Sequence, residues 1–309
     1  MGEFDLINWI RSQTISREPV LLGIGDDSAV VNASGKGQLV ISTDTLLDGT
    51  HFVRETCTPE DIGRKALLSS ISDIAAMGCK PVCSLVSFVL PNLITEDYCK
   101  RLYSAIIGAA ELYDVQVIGG DIVSGNCHLN INITVMGFSM ELMPIKRSGA
   151  KIGDVIIVTG CLGGSILGRH FSFNPRVNEG IMLNRMFDIN SMIDISDGLL
   201  IDLNHILTES SVGAIIDESM LPIADDAYNL AKISKKEPVS HAMSDGEDYE
   251  LLFTLSAQQA DQLLQSDLFS IPLTKIGYIN DGSGLLIKGL DGRVGTASLE
   301  GYEHITNLN

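Results

Sequence analysis

Basic residues are scarce in this sequence. Lys and Arg total 21 against 39 Asp and Glu, a formal net charge of −18. Such a balance lacks the basic footprint that holds a nucleic-acid backbone, and an anionic membrane leaflet repels it. Long apolar runs are missing too. Ala66–Leu68 and Val82–Leu90 are short and broken by Ser, against the ~20 residues a membrane span needs. Met1-Gly2-Glu3-Phe4-Asp5 is acidic and has no charged-then-apolar export layout, so a cytoplasmic protein is expected.

Familiar catalytic signatures are also absent. The six cysteines (Cys57, Cys79, Cys83, Cys99, Cys127, Cys161) form no CxxC, so reduced, packed thiols are expected. His51, His128, His170, His205, His241 and His304 show no HxxxH spacing, which argues against zinc. There is no GxSxG elbow and no kinase-type catalytic loop. There is no GxxxxGK[ST], and Gly23-Ile24-Gly25-Asp26-Asp27-Ser28 lacks the third glycine of a dinucleotide fingerprint.

What remains is a chain of 309 residues, 45% hydrophobic, long enough for two domains. Helix and strand signals alternate in both halves. Expected strands are Ser28–Asn32, Leu39–Leu47, Val82–Leu90, Val115–Gly119 and Leu129–Gly137. Expected helices are Glu3–Ser12, Asp61–Met77 behind Pro59, and Thr95–Tyr113 with Thr95 as its cap. Pro144, Lys146 and Arg147 lie in a break at Met140–Gly149, which separates a domain over 1–140 from one over 150–309. The second half restarts with a strand over Asp154–Thr159 and a helix over Gly164–His170. A strand ending at Ile195, a helix over Gly198–Thr208 and a strand over Ala214–Ile216 follow. Leu251–Leu255, Ala257–Leu264 and Leu273–Ile279 repeat the pattern. Mixed elements in both halves imply two α/β or α+β domains.

The aspartates fall at chosen places. Asp26 and Asp27 sit on a glycine loop, Asp44 in Ser42-Thr43-Asp44-Thr45, and Asp121 just after Gly119-Gly120. Asp194 and Asp197 bracket a strand-to-helix turn, where Asp197 also reads as a helix N-cap. Asp73 lies within a helix among small and apolar neighbours, on the face of Ala66, so it is expected to be partly buried and in need of a partner. Mg²⁺ satisfies such carboxylates, and it also lets a protein of this charge accept a nucleoside triphosphate. On a strand, Ser42 and Asp44 share a face and Thr43 takes the other. The loop Gly160–Ser165 offers amides to a phosphate or, more commonly, makes a turn. Arg147 suits a phosphate better, through its guanidinium.

Taken in order, these stretches resemble the bacterial thiamine-monophosphate kinase family. That family shares a superfamily with aminoimidazole ribonucleotide synthetase, selenophosphate synthetase and a hydrogenase maturation protein. The resemblance is carried by Gly2–Ile7, Gly23–Ala29, Ser42–Thr45 with Gly49–Phe52, Lys65–Gly78 and Gly119–Asp121. It continues through Arg147–Ala150, Thr159–Gly163, Asp194–Leu199 and Ser244–Leu251. It implies a two-domain aminoimidazole ribonucleotide synthetase-like fold in which the N-terminal sheet forms a barrel across a homodimer. It also implies transfer of the γ-phosphoryl group of ATP onto thiamine monophosphate, directly and in line, with several Mg²⁺ ions. The implied metal ligands are Asp27, Ser42, Thr43, Asp44, Asp73, Asp121, Asp194 and Asp197, of which Asp44, Asp73 and Asp121 carry catalysis. The implied nucleotide contacts are Tyr103, Gly120, Asp121, Arg147 and Ser196, and the implied substrate contacts are His51, Glu247 and Tyr302. Relative to the family, Phe171–Asn190 looks abbreviated.

Sibling activities fit less well. The first thirty residues hold no Cys and no Lys, which a selenophosphate synthetase would need. The sequence ends Thr306-Asn307-Leu308-Asn309 where a hydrogenase maturation protein ends in Cys. Asp44–His51 does not read Asp-Gly-Val-Gly-Thr-Lys, as an aminoimidazole ribonucleotide synthetase would. Outside the enzymes, a non-catalytic nucleotide or metal sensor would keep the aspartates, yet it would have little reason to keep His51 and Glu247.

Overall fold

The structure is a computed structural model, and it describes residues 9–22 and 30–299. The chain divides into two compact units. The first comprises Met1–Ala75 with Cys79–Pro144, and the second Ala76–Gly78 with Ile145–Asn309. Asp27, Tyr302 and the expected starts at Glu3 and Ser28 lie outside the described residues. No helix among the described residues is long and apolar enough to cross a membrane.

In the first unit a helix, α1, covers residues 9–13. Strands β1 (Val20–Leu22) and β2 (Val30–Val31) form a small antiparallel pair. The main sheet has four strands in the order β3 (Leu39–Leu47), β6 (Asn130–Phe138), β4 (Lys80–Pro91) and β5 (Gln116–Gly125). Its first two pairings are antiparallel and β4·β5 is parallel. Burial alternates along β3 and β6, as expected of strands with one covered and one open face. Ile131, Ile133 and Val135 point into the covered side, while Leu39 and Ile41 stay exposed.

Helix α2 (Pro59–Ala76) lies on the covered face. Thr58 starts it by accepting the amide of Asp61 at 3.1 Å, with Pro59 in the first turn. Its residues 66–72 are all buried, and Ser70 Oγ donates to the Ile133 carbonyl at 3.3 Å. Helix α3 (Glu96–Leu112) is capped by Thr95, whose side chain accepts the Tyr98 amide.

The second unit is built on seven strands in the order β13 (Val294–Thr296), β12 (Gly284–Lys288), β9 (Gly213–Asp217), β11 (Leu273–Asn280), β7 (Val155–Thr159), β10 (Leu251–Leu255) and β8 (Ile189–Asp194). Only β12·β9 is parallel. Every residue of β7 and β10 is buried, because both sheet faces are covered. Alternation then divides them between two cores. Ile156, Val158 and Leu252 pack with α6 (Leu199–Ser210) residues Leu199, Leu203 and Ile206. Val155, Ile157, Leu251 and Phe253 pack with Leu183 of α5 (Val177–Met186) and Leu263 of α9 (Ala257–Leu264). A short α4 (Arg169–Ser172), α7 (Asp225–Ser234) and α8 (Pro238–Ser244) complete this unit. The stretch expected to be abbreviated holds the end of α4, all of α5 and the start of β8.

Candidate active site

In the first unit β3 and α2 bring three oxygen-bearing side chains together. Ser42 Oγ donates to Asp73 Oδ2. Asp44 sits one pleat further along β3, on the same face. Burial raises the Asp44 pKa, and a hydrogen bond from Ser70 opposes that rise. Thr43 points the other way, with its Oγ1 3.0 Å from Thr134 Oγ1. Its side chain does not join the group.

Asp121 is not part of that cluster either. Register aligns Asp44 with Ile133, Val86 and Gly120 across the sheet, and it aligns Thr45 with Asn132, Ser87 and Asp121. The first row is on the covered face, where Ile133 and Val86 are buried. The second is on the open face, where Asn132 Nδ2 donates to Thr45 Oγ1 at 2.8 Å and Asp121 is exposed. Three strand spacings, about 14 Å, separate the ends of each row. Gly120 is needed where β5 closes on β4, since a Cβ there would stand 1.8 Å from the Val86 carbonyl oxygen.

His51 is held in a tight turn after β3. Its Nδ1 accepts the Leu47 amide at 3.0 Å, and its carbonyl accepts the buried Lys65 ammonium at 2.8 Å. Tyr103 is a core residue, 3% exposed and edge-to-face against Phe88 at 5.6 Å. Burial pushes its phenol pKa upward.

In the second unit the turn 194–198 and the acidic segment 244–250 run side by side. Ile195 N donates to the Glu250 carbonyl at 2.8 Å, Tyr249 N to the Ile195 carbonyl at 2.8 Å, and Glu247 N to the Ser196 carbonyl at 2.7 Å. These bonds place Ser196, Asp197 and Glu247 at one end of the sheet, with Asp194 buried at the end of β8. Glu247 and Tyr249 both hold positive φ, 63° and 53°. That costs a non-glycine residue about 1 kcal/mol each.

Asp197 is not the cap of α6. Gly198 takes that position and makes no side-chain cap bond. The capping is done from inside the helix by Asp202, whose Oδ2 accepts the amides of Ser196, Asp197 and Gly198 at 3.0, 3.0 and 3.1 Å. Burial, then the neighbouring Asp197 charge, raises Asp202 to about 7, while the Arg147 charge pulls it down. Arg147 itself is exposed. Asp197, Asp202 and His205 have ligand atoms within 4.8 Å of one another. The histidine spacing gave no sign of that group. Its signal was Asp202 and His205 three residues apart on one helix, beside Asp197.

The glycine turn settles the other way from a phosphate cradle. Gly163 N donates to both carboxylate oxygens of Asp248, and Gly164 N donates to Asp245 Oδ2. These two amides are spent inside the fold. Glu250 accepts from Thr159 Oγ1 at 2.6 Å and Arg176 Nε at 2.7 Å. Asp245, Asp248 and Glu250 therefore have structural partners that the sequence did not announce.

Residues 25–139 match the family described as AIR synthase related protein, N-terminal domain, and residues 120–287 match AIR synthase related protein, C-terminal domain. A thiamine-monophosphate kinase from Rhodopirellula baltica is 38% identical over 290 residues, covering 92% of this chain and 91% of that one. The chain belongs to the thiamine-monophosphate kinase family. Solved members share its fold as well. The thiamine-monophosphate kinase of Stenotrophomonas maltophilia K279a aligns with a TM-score of 0.80 and 35% identity, covering 94% of this chain and 97% of that one. AaThiL complexed with AMPPCP and TMP aligns with a TM-score of 0.78 and 29% identity, covering 98% and 97%. Two family-related domains of mixed helix and strand are thus the architecture of this chain.

Proposed function

We propose that this chain is a thiamine-phosphate kinase that transfers the γ-phosphoryl group of ATP to the phosphate of thiamine monophosphate, releasing thiamine diphosphate and ADP. Family membership supports this, as does a relative of the same fold that holds AMPPCP, an ATP analogue, together with TMP. The observation that carries the chemistry is the grouping of Ser42, Asp44 and Asp73 on one face of β3.

That donor set is all oxygen, and it includes a carboxylate whose burial opposes its charge. It suits a hard divalent cation. Several Mg²⁺ ions are assigned: Ser42, Asp44 and Asp73 group for one, with Thr43 contributing through its backbone, while Asp121 on the other face, Asp194, Asp197 and Asp27 serve others. When bound, Mg²⁺ neutralises the phosphates of donor and acceptor so that two anions can approach. The nucleotide is assigned to Gly120, Asp121, Arg147 and Ser196. Tyr103 is left out of that assignment, because its ring is packed in the core. Thiamine monophosphate is assigned to His51 and Glu247, with Tyr302 beyond the described residues.

No side chain needs to act as nucleophile. A phosphate oxygen of the acceptor is already ionised near pH 7. It forms the new P–O bond to the γ-phosphorus as the bond to the β-phosphate oxygen breaks and ADP leaves in line. The work of the chain is to position these groups and balance their charge. The open face of the four-stranded sheet, with Leu39 and Ile41 exposed at its edge strand, supports a homodimer in which two such sheets meet as a barrel.

The test follows ADP with Mg-ATP and thiamine monophosphate, with thiamine, and with neither. ADP that appears only with thiamine monophosphate, alongside thiamine diphosphate, is the expected result. Mg²⁺-dependent ATP binding without turnover would favour a sensor and overturn the kinase reading.

A further inference from the structure

Glu247 sits in a backbone conformation that its own residue type resists. Its φ is 63°, that of Tyr249 is 53°, and no glycine occupies either position. Such a pair survives where surrounding contacts over-determine it. Backbone bonds to Ser196 and Ile195 secure one side of the segment. The other side is secured through Asp248, the residue between the two.

The Asp248 side chain is fully buried. Its carboxylate accepts the Gly163 amide and Arg169 Nη2, the latter at 2.9 Å. The same guanidinium donates to the Gly163 carbonyl at 2.8 Å and the Cys161 carbonyl at 3.2 Å, and it faces Asp226 of α7 at 3.5 Å. Arg169 therefore joins the glycine turn, α7 and the acidic segment at one junction. Phe173, four residues on, stacks on the Tyr249 ring at 3.9 Å and 14°.

We infer that Arg169 and Asp248 are positioning residues that brace the 246–249 backbone and so set the aim of Glu247 at the acceptor. The inference rests on the assignment of Glu247 to thiamine monophosphate. Without the guanidinium, Asp248 would remain buried with its charge unpaired, and the segment would relax toward ordinary φ values. A side chain whose base moves by a fraction of an ångström loses its substrate contact, although neither Arg169 nor Asp248 touches the substrate.

The experiment compares the full chain with R169M, R169K, E247Q and the R169M/E247Q double variant. R169M should raise KM for thiamine monophosphate about tenfold and leave KM for ATP within about twofold, and R169K should recover most of the loss. Since Arg169 acts through Glu247, the double variant should be no worse than E247Q alone. Hydrogen exchange of the amides in 246–249 should quicken in R169M. An unchanged KM with a lowered melting temperature would overturn the inference, and so would additive losses or unchanged exchange in 246–249. If R169M does not fold, R169Q, which drops the charge and keeps a polar side chain, carries the same comparisons. If the unaltered chain does not turn over thiamine monophosphate, the functional reading falls, and the exchange measurement alone decides the brace.

Discussion

Ser42 on β3 donates its hydroxyl hydrogen to the Asp73 carboxylate on α2, 31 residues further along the chain. The bond marks where a strand and the helix covering it deliver their polar side chains to one point. Asp44 is the next inward residue of the strand, and burial acts against its charge. Carboxylates in that setting are costly to keep unless a cation or hydrogen bonds offset them.

Replacing Asp44 or Asp121 with Asn should therefore lower kcat for thiamine monophosphate by about a hundredfold, with the fold intact by circular dichroism. The two substitutions act at different places, because register puts the residues on opposite faces of the sheet. Unchanged turnover at saturating Mg²⁺ would remove either residue from the site.

Asp202→Ala leaves three amides at the start of α6 without their acceptor. The expected loss is about 1–2 kcal/mol, by analogy with helix caps. Urea denaturation followed by α-helical signal reads it as a lower midpoint. Asp197→Ala, which leaves those three bonds to Asp202 in place, should move that midpoint less.

Burial raises the thiols of Cys79 and Cys83 to about 11, while Cys127 is exposed. At pH 8 the two buried sulfurs are almost wholly protonated and shielded, so iodoacetamide should modify Cys127 before either of them. Peptide mapping after brief labelling checks the order. Early modification of Cys79 would contradict the packing around α2 and β4.

Lys288 on β12, beside Asp217 on the neighbouring β9, holds the Asp217 carboxyl at about 2, below its ordinary 3.8. A lowered pKa favours the folded state above pH 3.8, and that contribution disappears as pH falls through 2. Asp217→Asn should flatten the acid limb of a stability profile in this window. The difference should shrink at high salt, because the Lys288 ammonium is exposed. A profile identical to that of the unaltered chain at low salt would exclude the contribution.

Much of the scaffold was legible. Leu39–Leu47, Leu251–Leu255 and Ala257–Leu264 occur at the expected boundaries. The strands are apolar or alternating, and the helix has a capping Ser256 before it. Helices α5, α7 and α8 were not foreseen. They are short, and α7 buries only Ala227, so no wide apolar stripe marks it. β12 and β13 lie at the margin of their sheet, and the exposed Val294–Thr296 carries no alternation to read.

The sequence by itself determined the inventory of the candidate site. Oxygen donors at Ser42, Asp44, Asp73, Asp121, Asp194 and Asp197, the alternation that sets Thr43 apart, and the lack of basic residues are local properties of composition and spacing. Only the tertiary structure decided which distant group each acid meets. Asp202 caps α6 from within, Asp245 and Asp248 hold the amides of the glycine turn, and Glu250 pairs with Arg176. A carboxylate has the same signature in sequence whether it meets a cation, a guanidinium or a helix amide. Its partner is chosen by which distant strands and turns fold against it.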